Sequence, residues 1–213
     1  MTKWNKLYFT KKSLKFPYFL REFFMAQLRF RTPSGIPFYP THYISHALIV
    51  VSVIIAVFGF LFPFLKWYFG LHAIPVYLDT LPFIFGQVAL YQFLHEDVLH
   101  IFMNAYFLYS AGPEVESRMT RREFLLFFLG NTIFVAVALW LLSSGLTIGI
   151  SGFCMALLSY LYMELQSTRH PMANQILIML VINILIGLTG NISFVGHAAG
   201  ALWGMMWWMI KKK

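Results

Sequence analysis

Residues 123–142 read EFLLFFLGNTIFVAVALWLL, and no charged side chain follows Glu123 within them. A helix that crosses the hydrocarbon of a bilayer needs about 20 predominantly apolar residues, so this stretch reads as a membrane span. Working outward, apolar runs fall at 43–62 and 93–112 before it and at 149–167, 173–190 and 196–210 after it. The first three runs meet the length of a span, and the next two are near its lower limit. The sixth must continue into the loop before it. The short runs fit if they stand inside a bundle, where protein neighbours replace lipid. Of 213 residues, 59% are hydrophobic and 11% charged, against about 25% charged in soluble domains. The chain is therefore expected to be an all-α membrane protein, a bundle of six transmembrane helices.

The prolines bound these runs, with Pro113 closing the second, and none is expected to interrupt one. Lysine and arginine favour the cytoplasmic side. Eight fall within residues 1–42, Arg118, Arg121 and Arg122 between spans two and three, Arg169 between spans four and five, and three in the tail 211–213. Only Lys66 falls on the other side. This predicts cytoplasmic termini and an even number of spans. The chain divides accordingly into a basic, aromatic cytoplasmic segment (1–42), a membrane core (43–210) and a basic cytoplasmic tail (211–213). The first segment reads either as lying on the anionic leaflet or as a topology signal. The loop from Pro63 to Gln92 is rich in Trp, Tyr and Phe and reads as an element lying in the membrane interface. The net charge of +8 sits at the chain ends rather than on one face, which argues against nucleic acid as a partner. Cys154 is the single cysteine and reads as a small buried hydrophobe. The first long run starts near Tyr43, too far along for a cleavable signal sequence.

Polar side chains inside a span are costly unless they are paired or used. Span two carries His100 and Asn104, which share a helix face at i, i+4. Span four opens on Gly149-Ile150-Ser151-Gly152, and span six on Gly196-His197-Ala198-Ala199-Gly200. With the predicted topology, the even-numbered spans run from outside to inside. Ser151 and His197 then stand near the outer surface, and His100 lies about 10 Å deep at the helical rise. Singly, each feature has a bland reading. A glycine-flanked serine packs helices, and Gly196, Gly200 and Gly204 form a small-xxx-small contact stripe. His100, Asn104 and, in span five, Asn183 read as interhelical hydrogen bonds. At one matched depth, however, the first groups point to one site.

A serine hydroxyl needs a base before it attacks. His197 is the candidate, because the glycine stripe lets its helix approach span four. Attack on a carbonyl builds negative charge on oxygen, which needs preorganised donors. The Asn104 amide, a His100 ring N–H and the Ser151 backbone N–H are available. Asp97 stands too near the start of span two and Asp79 in the outer loop, so a Ser–His dyad is expected rather than a triad. Hydrolysis needs water, so the outer end must open into a polar cavity. The uncharged loop Ser143–Gly149 fits a segment that dips inward under protein.

At these residues the chain resembles the rhomboid intramembrane serine proteases, over about residues 43–210. His95-x4-His100-x3-Asn104 resembles the family's second-helix motif, and Gly112 with Glu116-Ser117-Arg118 its turn at the end of that helix. Gly149-x-Ser151-Gly152 resembles the nucleophile motif, and His197-x2-Gly200 with Gly204 the base motif. The resemblance implies Ser151 as nucleophile, His197 as general base, and His100, Asn104 and the Ser151 backbone as the oxyanion site. It implies structural roles for Glu116 and Arg118, and no metal or cofactor. It implies single-span membrane proteins as substrates, cut near their outer end after lateral entry between spans two and five. The six-span core resembles the prokaryotic type, which implies the plasma (inner) membrane of a prokaryote. Two positions depart from the pattern. Met155 stands where many members have an aromatic that packs on the histidine. Gly86-Gln87 replaces a Trp-Arg pair, which puts the anchoring of the outer loop in question. Two other readings are a non-catalytic relative that binds transmembrane helices and a small transporter. The first is expected to lack the serine or the histidine. The second needs a polar route inward, and Ser159, Glu164 and Asn183 offer no obvious chain.

Overall fold

The computed structural model describes residues 43–73, 81–189 and 193–212. The readings made for residues 1–42, Asp79 and Lys213 lie outside the described residues. The described chain is mostly helical: α1 (Ile44–Leu61), α2 (Phe64–Phe69), α3 (Ile84–Leu90), α4 (Val98–Glu116), α5 (Arg121–Leu142), α6 (Ser151–Ser167), α7 (Ala173–Ile186) and α8 (Phe194–Lys211). The six expected spans correspond to α1 and to α4 through α8.

The boundaries follow local chemistry. α5 begins at Arg121 because Thr120 and Glu123 form a capping box: the Thr120 hydroxyl accepts from the Glu123 amide, and the Glu123 carboxylate accepts from the Thr120 amide. α4 starts at Val98, five residues later than the apolar pattern suggests, because Asp97 caps it and accepts from the His100 N–H at 2.8 Å. Residues 91–93 form a separate 3-10 turn. At its other end α4 runs through Pro113 to Glu116, so a proline does lie inside this helix. It sits in the last turn, where its ring removes the i→i−4 hydrogen bond to the Tyr109 carbonyl. α8 begins at Phe194, two residues before the expected start, because the Ser193 hydroxyl accepts from the Gly196 N–H at 3.0 Å.

Among the described residues, only α1 and α5 are both long and apolar enough to qualify as membrane-crossing helices by length and composition alone. α6 and α7 are too short, and α4 and α8 are diluted by polar, glycine or charged positions. On α5 one stripe, Leu125, Leu129, Ile133, Val137 and Leu141, is exposed, and the opposite face is buried. Repeats of four residues lie on one side of a helix, so this is an apolar face that water would not tolerate. α6 is different. Gly152 through Leu161 are all buried, as expected of a helix enclosed by its neighbours, here α4, α5, α7 and α8.

The loop between α1 and α4 carries α2, α3 and a two-residue strand, β1 (Leu71–His72), paired antiparallel with β2 (Leu146–Thr147). This small ladder departs from the purely helical expectation. It satisfies backbone groups that would otherwise lack partners and ties the long loop to the segment leading into α6. The loop is also anchored on α5. Gln92 Nε2 donates to Thr132 Oγ1 at 2.8 Å, and the Tyr91 hydroxyl donates to the Thr132 carbonyl at 3.2 Å. Gln87 is fully buried, and Gly86 lets α3 approach the Phe69 ring.

Candidate active site

Ser151 is the first residue of α6. The chain reaches it through Gly149, whose φ of +115° is accessible to glycine and strained for other residues. The Gly149 N–H donates to the Tyr91 carbonyl at 2.9 Å. A Cβ on Gly149 would lie 2.7 Å from His100 Cε1 and 3.7 Å from Asn104 Nδ2. The absent side chain thus leaves room for the polar face of α4 beside the loop that leads into α6. As the first residue of its helix, Ser151 carries a backbone N–H with no partner inside the helix.

His197 comes from α8. A Cβ on Gly200 would overlap the Gly152 carbonyl oxygen, and one on Gly204 would overlap the Ala156 carbonyl. The expected glycine stripe is therefore a backbone-to-backbone contact between α6 and α8. Gly152 stands 3.2 Å, by its would-be Cβ, from the Gly196 carbonyl oxygen, so Ser151 and His197 flank the same crossing. His197 is buried, and its Nδ1 lies 2.7 Å from the Asn183 carbonyl oxygen. A carbonyl only accepts, so Nδ1 carries the proton and the neutral ring keeps its lone pair on Nε2. Nε2 is buried and has no hydrogen-bond partner, so Ser151 Oγ and His197 Nε2 are not hydrogen-bonded here. Catalytic hydrogen bonds are often long before substrate binds.

Asn183 therefore corrects the sequence reading. Its side-chain amide stays within its own helix, donating to the Met179 carbonyl at 2.8 Å, and it is the backbone carbonyl that crosses to His197. α7 gives way after Ile186 to a 3-10 turn, and the Gly187 N–H donates to the carbonyls of Ile184 and Leu185. The amide that would close the α-helical bond on Asn183 is thus directed elsewhere, which leaves that carbonyl for the histidine.

His100 is the third residue of α4, in its first turn, rather than deep in the span. Asn104 lies one turn further and is buried. His95, noted in the sequence only as part of a motif, orients both. Its Nδ1 is 3.1 Å from the Phe93 carbonyl oxygen, and its Nε2 is 3.1 Å from Asn104 Nδ2. Nδ1–H therefore donates to Phe93, and Nε2 accepts from the amide. Its ring meets that of His100 edge-on at 4.9 Å between centroids. Cys154 is buried with its sulfur 3.9 Å from Asn104 Oδ1. The Asn104 amide NH2 therefore faces His95 and the Gly149 loop. His95 escaped the periodicity argument because it precedes the helix.

A cavity of about 440 Å³ opens on Ser151 and His100, walled by residues 142–148 and by Ser193, Phe194 and Val195. Residues 144–146 of the loop are exposed, whereas Gly149 and Ile150 are buried, so only the last part of the loop dips inward. His197 lies behind this wall, within the α6–α8 contact. Met155, one turn after Ser151, is fully buried.

The other motif residues stand at the opposite end of α4. Glu116 is buried and accepts from the Ile44 N–H at 2.7 Å, the Ser45 N–H at 3.0 Å and the Ser45 hydroxyl at 3.0 Å. It supplies the cap that α1 lacks in its own sequence. Gly112 permits this approach, since a Cβ there would lie 2.5 Å from Ser45 Cβ. Arg118 pairs with Glu114 at 2.5 Å. Ser159 donates to the Ala156 carbonyl, and Glu164 accepts from Trp208 Nε1 at 2.8 Å. Both are used locally.

Among the described residues, no group of His, Cys, Asp and Glu is arranged to hold a metal. The fold and site together define a multi-span helical membrane protein with serine, histidine and asparagine gathered at one end of the bundle. A family model described as the Rhomboid domain matches residues 82–213, and the chain belongs to the rhomboid family, which includes serine proteases. It matches no curated protein.

Proposed function

We propose that the chain is an intramembrane serine endopeptidase with a core of six spans over residues 43–210. The observation that carries this reading is the state of His197: Nδ1 is held by a backbone carbonyl, and Nε2 is uncommitted beside the Ser151 crossing. His197 Nε2 takes the proton of Ser151 Oγ as the oxygen attacks the scissile carbonyl. The Ser151 N–H, the Asn104 amide and a His100 ring N–H stabilise the oxyanion. Protonated His197 then gives its proton to the leaving amine. Water from the cavity, deprotonated by the same nitrogen, releases the acyl group. No metal or cofactor takes part in these steps.

The distribution of basic residues supports an orientation with both termini cytoplasmic and the Ser151 end facing out. In that frame residues 1–42 are a basic, aromatic cytoplasmic segment and 211–213 a basic tail. The substrates are single-span membrane proteins, cut near their outer end after entry between α4 and α7. The direct test is cleavage of a single-span reporter in proteoliposomes. Wild type is expected to cut it, and Ser151→Ala to leave it intact. Equal cutting by the two proteins would end the assignment.

A further inference from the structure

Among the described residues, Glu96 is the one Asp, Glu, Lys or Arg in the wall of the cavity that holds Ser151 and His100. Its side chain is 73% exposed. The nearby cation, Lys66, forms only a long ion pair with it. Lys66 Nζ donates to the Glu96 backbone carbonyl at 2.8 Å and stands 3.7 Å from the carboxylate. At that distance, with the carboxylate largely in water, the pair is weak and leaves the carboxylate open to a second cation. The neighbouring Asp97 carboxylate is committed to capping α4. The ordinary reading of an exposed acid is a solvated surface group. Glu96 differs because it lies on the wall that a bound peptide must pass.

We propose that Glu96 is a specificity-determining residue that selects substrates with a lysine or arginine in the extramembrane stretch flanking the scissile bond. The carboxylate accepts from the incoming ammonium or guanidinium, and among the described residues the rest of the wall carries no other Asp, Glu, Lys or Arg. This rests on the reading of the cavity as a peptide site, so binding and cleavage are to be read separately.

Three reporters would be compared, identical except for Lys, Gln or Glu at the outer flank. Photo-crosslinking to Ser151→Ala protein reads binding without turnover, and wild-type protein reads cleavage. The Lys reporter is expected to exceed the Gln reporter by about fivefold in both, and the preference to shrink as salt is raised. In Glu96→Gln the Lys/Gln ratio should fall to about one, and Glu96→Lys should favour the Glu reporter. Cleavage with no flank preference, or a preference that survives Glu96→Gln, overturns the proposal and leaves the hydrolase reading standing. A flank preference in crosslinking without cleavage by wild type supports Glu96 and removes the hydrolase reading.

Discussion

The two ends of the bundle use their polar groups in opposite ways. At the end where α4 meets α1, charged groups are committed. Glu116 holds three donors, Glu123 accepts from Thr120 and Lys211, and Glu164 accepts from Trp208 with Lys212 at 3.7 Å. At the Ser151 end the groups gathered are serine, histidine and asparagine, with the charged Glu96, Asp97 and Lys66 at the rim, and one nitrogen, His197 Nε2, is left without a partner. Saturated buried acceptors hold helices together. A buried polar atom left unsatisfied costs free energy; His197 Nε2 is one of several such atoms among the described residues, and it is the one beside the Ser151 crossing. The first end reads as architecture and the second as chemistry.

Substitutions can break that contrast. The largest effect belongs to His197→Ala, expected to lower kcat for a reporter on the order of 10³-fold or more while the detergent-solubilised protein keeps its helical circular dichroism. Gly200→Ala comes next. Its methyl group would overlap the Gly152 carbonyl and force α6 and α8 apart. A displacement of about an ångström at a reacting centre costs on the order of 10²-fold in rate, and cleavage assays should show a loss of that size. Glu116→Gln should act on stability instead. Replacing a charged acceptor by a neutral one at three donors costs about 2 kcal/mol, read as a lower unfolding midpoint with kcat per folded molecule near wild type. His95→Leu is the mildest. It removes the acceptor that aims the Asn104 amide and should cost about tenfold in kcat with little change in KM. A fall in KM-controlled binding instead would move His95 out of the oxyanion support.

The order of the helices and the gathering of Ser151, His100, Asn104 and His197 at one end were legible because hydrophobic length, glycine spacing and serine and histidine are side-chain signals. What escaped the sequence is written in backbone. The carbonyl that orients His197 belongs to Asn183, whose side chain drew attention for another reason. The β1–β2 ladder is only two residues per strand, too short for an alternating pattern. The start of α4 was misplaced because Phe93 and Leu94 continue the apolar run, while the Asp97 cap decides the boundary. Pro113 reads as a terminator, but the helix runs on through it to Glu116. The anchoring of the long loop on Thr132 uses Tyr91 and Gln92, and nothing local to the sequence marks them for it.

The most direct measurement is labelling of the purified protein with a fluorophosphonate probe, which reports an activated serine hydroxyl without any choice of substrate. Wild type is predicted to label, and both Ser151→Ala and His197→Ala to remain unlabelled. Labelling that persists in Ser151→Ala would contradict the account.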